Sequence, residues 1–147
     1  MDERVQNIID SHAFSTMLDL GAGTGRFSLY AASKGINVTA VEKQENYLSG
    51  MEKIAFFSKG KEIGSVRYLV EDLERWLPEE SYDFILAKNI LLFLPKEYVL
   101  HTLLPRLIEK GDIVYIETFG DKEVLNVPTK YSVKDFPFSH TKAWEED

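Results

Sequence analysis

The amino-acid sequence predicts an α/β fold, in which a doubly wound and mostly parallel sheet carries helices on both faces. Short apolar runs alternate with amphipathic stretches along the chain, as in parallel sheets whose strands are joined by helices. A glycine-rich loop follows the first clear apolar run and leads into a helical stretch, which is typical of doubly wound sheets. Because 147 residues are the length of one domain, we expect residues 1–147 to form a single domain.

The first half of the chain alternates helices with strands. Apolar residues at helical spacing predict a helix over 3–13, and the apolar run at 16–20 predicts the first strand. A second helix is predicted over 25–34, where a glycine follows its end. The β-branched and apolar residues at 36–41 predict the second strand, and a further apolar helical face predicts a helix over 45–59.

The second half repeats this pattern. Apolar runs predict strands over 66–70, 82–87 and 112–118, and a helix is predicted over 96–109. Pro105 lies inside that helix and is expected to kink or split it, because proline cannot donate a backbone hydrogen bond.

The tail from 119 to 147 has a different character. Its two prolines prevent a long regular element, while its aromatic side chains favour burial. These aromatic residues are Tyr131, Phe136, Phe138 and Trp144. We predict either one short edge strand around 133–139 or an extended wrap, and hence a truncated C-terminal strand pair.

Composition limits the possible functions. The chain has no cysteine, which excludes disulfides, thiolate metal sites and cysteine nucleophiles, and no metal site is predicted. It carries 24 acidic residues against 17 Lys and Arg, a formal charge of −7, so nucleic-acid binding is not expected without a partner. The apolar runs are far shorter than the roughly 20 residues that span a bilayer, and the N-terminus shows no secretory signal. We therefore expect a cytoplasmic protein that does not contact membranes.

The glycine loop at 18–25 is the most informative segment. A predicted strand leads directly into Gly21, Gly23 and Gly25, and glycines there let the backbone turn sharply and approach a ligand closely. Glu42 closes the second predicted strand, where a carboxylate can accept hydrogen bonds from both hydroxyls of a ribose. Together these residues predict a nucleoside-bearing cofactor at the carboxyl edge of the sheet.

The glycine spacing distinguishes two classes of cofactor. Dinucleotide-binding loops read Gly-x-Gly-x-x-Gly, whereas this loop reads Gly-x-Gly-x-Gly and has Arg26 where the third dinucleotide glycine would stand. Asp19 lies two residues before Gly21, and its negative charge disfavours a pyrophosphate and suits a cofactor with a positive amino group. A nicotinamide-binding oxidoreductase is therefore the weaker alternative.

On these residues the chain resembles the class I S-adenosylmethionine-dependent methyltransferases, whose first motif is closely matched by 18–25. The resemblance extends over 16–118 and includes Glu42, the Asp72-Leu73 pair after the third strand and the segment 82–94. It implies a Rossmann-like, class I methyltransferase-like fold, S-adenosylmethionine as the cofactor and methyl transfer as the activity.

The resemblance also implies roles for the residues of the glycine loop and the second strand. Gly21 and Gly23 would contact the amino-acid part of the cofactor through their backbones, and Asp19 would orient this loop and the cofactor amino group. Glu42 would accept the ribose hydroxyls, with Lys43 beside the adenine.

Further roles are implied for residues after the third and fourth strands. Asp72 would accept a hydrogen bond from the adenine amine, and the Leu73 backbone would meet the ring edge. Asn89, with Lys88 and Ala87, would lie where the methyl group faces its acceptor. No catalytic residue is predicted, because a base is needed only if the acceptor must lose a proton.

Several of these residues have plain structural alternatives. Asp72 is also a favoured N-cap for a helix that follows it, and Asn89 could cap a short helix at 90–94. Arg26 is interpreted as an exposed helix residue in preference to a contact with the cofactor carboxylate. The three histidines, interpreted as structural or solvent-facing, are His12, His101 and His140.

The methyl acceptor is open at this point. The exit of the fourth strand lacks the Asn/Asp-Pro-Pro-aromatic signature used on planar amines, and the absence of cysteine excludes covalent attack on pyrimidine C5. A small-molecule acceptor is favoured. The short tail also leaves open a homo-oligomer, or a cofactor-binding subunit that needs a partner chain for activity.

Overall fold

The structure is a computed structural model that describes residues 2–44, 64–118 and 127–132. The chain divides into two compact units, Met1–Asp72 and Leu73–Asp147. The helix predicted at 45–59 and the edge strand predicted around 133–139 lie outside the described residues.

The first unit contains three parallel strands and two helices. Its elements are α1 (Glu3–Ser11), β1 (Thr16–Leu20), α2 (Arg26–Ser33), β2 (Asn37–Glu42) and β3 (Val66–Val70). Strand β2 lies between β1 and β3, with Thr39 opposite Leu18 on one side and Arg67 on the other. The first and third strands have the bounds that the sequence predicts, and the second ends at Glu42 as expected.

Burial explains why these strands read as continuous apolar runs. Nearly every residue of β1 and β2 is buried, because strands inside a parallel sheet are covered on both faces. Helix α1 buries Val5, Ile8 and Ile9, and the Asp2 side chain caps it by accepting a hydrogen bond from the Arg4 amide at 2.9 Å.

The second unit contains a parallel strand pair extended by an antiparallel strand. Its strands are β4 (Tyr82–Lys88), β5 (Gly111–Thr118) and β6 (Val127–Ser132). Strand β5 runs parallel to β4, with Tyr115 opposite Leu86, and antiparallel to β6, with Tyr115 opposite Lys130. An antiparallel strand therefore follows β5, at a position for which the sequence predicts no strand.

Between β4 and β5 the chain is mostly helical. A 3-10 turn at Leu91–Phe93 is followed by α3 (Lys96–Tyr98), a π-helical turn at Val99–Leu103 and α4 (Leu104–Lys110). No helix within 2–44 and 64–118 is long and apolar enough to cross a membrane.

The π turn explains how the chain accommodates Pro105. The Leu104 amide donates to the carbonyl of Val99, which lies five residues earlier. In an α-helix an amide donates to the carbonyl four residues earlier, so this turn is one residue wider. Proline lacks an N–H group, and its ring crowds the carbonyl four residues before it. The expected disruption at Pro105 therefore takes the form of one widened turn.

Candidate functional site

The loop between β1 and α2 is held against the end of β2. Gly21, Gly23 and Gly25 have φ values of +66°, +58° and +82°, in the left-handed region that favours glycine. The amides of Gly21 and Ala22 both donate to the carbonyl of Val41, at 2.9 and 3.0 Å. The loop is therefore fixed at the carboxyl ends of two neighbouring strands, as the glycine spacing predicts.

Glu42 lies at the end of β2 with both carboxylate oxygens engaged. Oε1 accepts a hydrogen bond from the Gly23 amide at 2.8 Å, and Oε2 accepts one from the Gln44 amide at 2.9 Å. The side chain is buried, so these bonds hold it in one orientation beside the glycine loop. Each carboxylate oxygen has two lone pairs, which leaves acceptor capacity for the hydroxyls of a ligand.

Asp19 is a second buried carboxylate, in β1. Its Oδ2 accepts a hydrogen bond from the Ser28 hydroxyl in α2 at 2.6 Å. Burial raises the pKa of Asp19 to about 7, an effect that the Ser28 hydrogen bond opposes and the negative charge of Glu42 reinforces. This side chain therefore ties β1 to the helix that follows the glycine loop. The sequence prediction did not include Ser28.

The remaining predicted residues of the first unit lie near the end of β2. Lys43 is exposed directly after Glu42. The Glu71 amide donates to the Glu42 carbonyl at 3.2 Å, which brings the segment after β3 beside the end of β2. Asp72 follows in that segment and is partly buried.

The second unit begins with Leu73, whose side chain is buried and whose carbonyl accepts a hydrogen bond from the Tyr98 hydroxyl at 2.5 Å. Residues 73–75 form a turn and not a helix. The alternative reading of Asp72 as a helix N-cap is therefore wrong.

Asn89 follows β4 in a left-handed conformation with φ of +56°. Its backbone N–H donates to the Glu117 backbone carbonyl at 2.6 Å, and its side-chain Nδ2 lies 3.2 Å from Glu117 Oε2. The 3-10 turn that follows has Ile90 at its N-cap position and no side-chain cap, so the alternative reading of Asn89 as a cap is wrong. Among the described residues, Asn89 Oδ1 is the one buried side-chain polar atom with no hydrogen-bond partner.

Glu117 is the residue at this place that sequence analysis missed. It is fully buried near the end of β5, where Lys88 Nζ lies 3.2 Å from Oε2 and the Tyr115 hydroxyl donates to Oε1 at 3.1 Å. A signal was present in the sequence, since an acidic residue closes an apolar strand here just as Glu42 closes β2.

The histidines within the described ranges have the structural or solvent-facing character expected. Nδ1 of His12 lies 2.8 Å from the Ile8 carbonyl, and its ring stacks on Phe14. His101 is exposed and lies 3.0 Å from Glu97, while His140 lies beyond the described residues. Arg26 is exposed at the start of α2, as interpreted.

Solved structures share the fold of this chain. TehB from Haemophilus influenzae superposes with a TM-score of 0.74 at 20% identity, covering 99% of this chain and 50% of that chain. The N-methyltransferase NodS from Bradyrhizobium japonicum, solved with S-adenosyl-L-homocysteine, gives 0.65 at 15% identity, covering 82% and 62%. The predicted Rossmann-like fold of a class I methyltransferase is thereby confirmed.

The family follows from the sequence itself. Residues 2–133 match the family described as tellurite resistance protein TehB, and the chain belongs to that family.

Curated relatives agree with this assignment. The probable S-adenosyl-L-methionine-dependent methyltransferase TehB of Haemophilus influenzae is 34% identical over 83 residues, which are 56% of this chain and 28% of the relative. The ubiquinone biosynthesis O-methyltransferase of Dechloromonas aromatica is 30% identical over 110 residues, 75% of this chain and 47% of the relative. The matched segments thus span less than half the length of these relatives.

Proposed function

We propose that this chain binds S-adenosylmethionine and transfers its methyl group to a small-molecule acceptor. The observation that carries the proposal is the geometry of Glu42, a buried carboxylate fixed by the Gly23 amide at the carboxyl end of β2. The names of the relatives and the fold shared with methyltransferases support it.

The residues of the first unit fit this cofactor on two counts. Glu42 keeps lone pairs for the two ribose hydroxyls after binding two backbone amides. Two buried acidic side chains, Asp19 and Glu42, oppose a pyrophosphate and favour a ligand with positive charge.

In this proposal the glycine loop and β2 hold the nucleoside and the amino-acid part. The backbones of Gly21 and Gly23 contact the amino-acid part, while Asp19 holds the loop and α2 together through Ser28. Glu42 binds the ribose.

The segments after β2 and β3 hold the adenine. Lys43 lies beside the ring, Asp72 accepts a hydrogen bond from its amine, and the Leu73 backbone meets its edge.

When bound, S-adenosylmethionine supplies a methyl group on a positively charged sulfur together with its own leaving group. The chain is left mainly with the task of orientation, which alone can lower a barrier by several kcal/mol. Glu42 fixes the nucleoside.

Titration calorimetry tests the proposal directly. We expect saturable binding of S-adenosylmethionine and S-adenosylhomocysteine, with no competition from NADH. Glu42→Ala should weaken binding by about 10- to 100-fold, because a hydrogen bond to a charged group contributes roughly 1.5–3 kcal/mol. The matched control Glu109→Gln changes an exposed carboxylate on α4 and should bind like the wild type.

Two results would contradict the proposal. One is that neither S-adenosylmethionine nor S-adenosylhomocysteine binds at millimolar concentration. The other is saturable NADH binding without a response to S-adenosylhomocysteine, which would favour a nicotinamide enzyme. Once binding is shown, a screen of small molecules with labelled methyl donor identifies the acceptor.

A further inference from the structure

Ser28 joins the helix after the glycine loop to the buried carboxylate before it. The residue lies in the first turn of α2 and is completely buried. Its hydroxyl donates to Asp19 Oδ2 at 2.6 Å. Asp19 and Ser28 both belong to the first unit, on either side of the loop that carries Gly21, Gly23 and Gly25. A hydrogen bond from a hydroxyl to a carboxylate stabilises the ionised form of the acid.

Within residues 2–44 and 64–72, no positive side chain pairs with Asp19. In this unit β1 packs against β2 and α2. Strand β2 contributes Glu42, which acts on Asp19 as a second negative charge. Helix α2 contributes Arg26, which is exposed, and Tyr30, whose hydroxyl donates to a carboxylate of α1. Because an unpaired buried charge is costly, the ionised form of Asp19 depends on Ser28, the residue in these ranges that favours it.

The charge of Asp19 matters for the ligand because this residue lies two positions before Gly21. In the function proposed above, the Gly21 backbone contacts the amino-acid part of the cofactor. We propose that Ser28 is a positioning residue, whose hydroxyl holds the Asp19 carboxylate so that its negative charge attracts the positively charged amino group of S-adenosylmethionine. The inference rests on the function proposed above.

A proton is linked to this attraction. Burial raises the pKa of Asp19 to about 7, so below pH 7 most ligand-free molecules carry a proton on this group. A positively charged ligand favours the carboxylate, and the proton leaves to solvent when the ligand binds. S-adenosylhomocysteine keeps the amino group, so the affinity of the wild type for it should fall by up to about tenfold from pH 7 to pH 5.5.

Ser28→Ala tests the role of the hydroxyl. Without that donor Asp19 keeps its proton to higher pH, so the pH profile of the affinity should move upward. We expect the variant to bind S-adenosylhomocysteine about fivefold more weakly than the wild type at pH 7, and equally at pH 9. The amino group of the ligand titrates at about pH 8 whatever the variant, so affinities from titration calorimetry are compared at equal pH.

Four controls separate this role from general damage to the fold. Ser33→Ala is the same exchange at an exposed serine of α2, whose hydroxyl donates to the Tyr30 carbonyl, and should bind like the wild type. Ser28→Cys nearly keeps the volume but is a weak donor, so it should shift the profile in the same direction without leaving a cavity. In an Asp19→Asn background the titrating group is gone, and adding Ser28→Ala should not move the profile. The affinity for 5′-methylthioadenosine, which lacks the amino-acid part, should not depend on Ser28.

The outcomes are distinct. If the wild type binds neither S-adenosylmethionine nor S-adenosylhomocysteine at any of these pH values, the proposed function is wrong and this inference falls with it. If the wild type binds them, and Ser28→Ala keeps its pH profile or loses affinity equally at pH 7 and pH 9, the positioning role alone is refuted. An equal loss for methylthioadenosine would also overturn it. A loss at pH 7 that disappears at pH 9, and that is absent from Ser33→Ala, would support it.

Discussion

Asp19 and Glu42 are buried carboxylates near the ends of neighbouring strands, and they differ in the hydrogen-bond donors that they accept. Glu42 accepts two backbone amides. Asp19 accepts the single hydroxyl of Ser28, and its burial raises the pKa to about 7. Burial is the main cause of this raised pKa, and the single Ser28 hydrogen bond opposes it only in part.

Asp19→Asn should alter the pH dependence of stability. Between about pH 4 and pH 7 the folded wild type keeps a proton that the unfolded chain releases, so its free energy of unfolding falls as pH rises and levels off above pH 7. Asparagine removes this loss, and the variant should be more stable at pH 8 by up to about 4 kcal/mol, at about 1.4 kcal/mol per pKa unit. Urea unfolding of the wild type and the variant at pH 5 and pH 8 measures these free energies. The prediction is contradicted if the free energy of unfolding changes between the two pH values by the same amount in both proteins.

The sequence was enough to find Asp19 and Glu42 but not Ser28 or Glu117. Both lie at positions set by the glycine motif and the strand end, which are local patterns. Ser28 and Glu117 act through contacts between elements, and nothing in the residues next to Ser28 indicates that its hydroxyl reaches β1. Sequence patterns predict where a strand ends more readily than which side chains meet there.

At the scale of elements, close backbone approach shapes the entry into β3. Gly64 precedes β3, and its amide donates to the Ala32 carbonyl at 2.7 Å. A Cβ atom at this position would overlap the carbonyl oxygen of Ile36, which is backbone and cannot rotate away. Gly35 is different, because its φ is +91° but nothing lies within 4 Å of where a Cβ would be.

Substitution of these two glycines should therefore have unequal costs. Gly64→Ala should lower the free energy of unfolding by about 3 kcal/mol, at the upper end of the usual cost of overpacking. Gly35→Ala should cost about 1–2 kcal/mol, from the left-handed backbone alone. Denaturant unfolding of both variants compares them, and an equal loss would show that the backbone near Ile36 gives way.

Over the whole molecule, the strands up to β5 followed from the sequence, whereas strand β6 was not predicted at its position. The strands at Thr16–Leu20 and Val66–Val70 have their predicted bounds because short apolar, β-branched runs are flanked by polar residues or glycine. Strand β6 contains Pro128, a residue that disfavours a strand in sequence analysis but is tolerated on an edge strand. Such a strand is defined by its pairing with β5 more than by its own residues.

We expect the two compact units to unfold together as one domain. A chain of this length normally unfolds in a single cooperative step, and one solved structure covers 99% of it with the same fold. Thermal unfolding followed by circular dichroism and by tryptophan fluorescence should give coincident transitions. Two separated transitions would show that the units are independent domains.

Binding of the cofactor product should raise the temperature of this single unfolding transition. S-adenosylhomocysteine at 100 times its Kd should add about 2.7 kcal/mol of stability, which raises the Tm by about 5–10 °C for a chain of this size. Differential scanning fluorimetry measures the shift. The same concentration of NADH serves as the control, and an equal shift with NADH would contradict the cofactor assignment.

The buried carboxyl group of Asp19 also couples the unfolding of this protein to the release of protons. At pH 7 about half of the folded molecules carry that proton, and nearly all unfolded chains have released it. Unfolding near neutral pH therefore delivers about half a proton to the buffer from this site. The heat absorbed on unfolding depends in turn on the ionisation enthalpy of the buffer, so phosphate and Tris should give different calorimetric enthalpies for one and the same structural change.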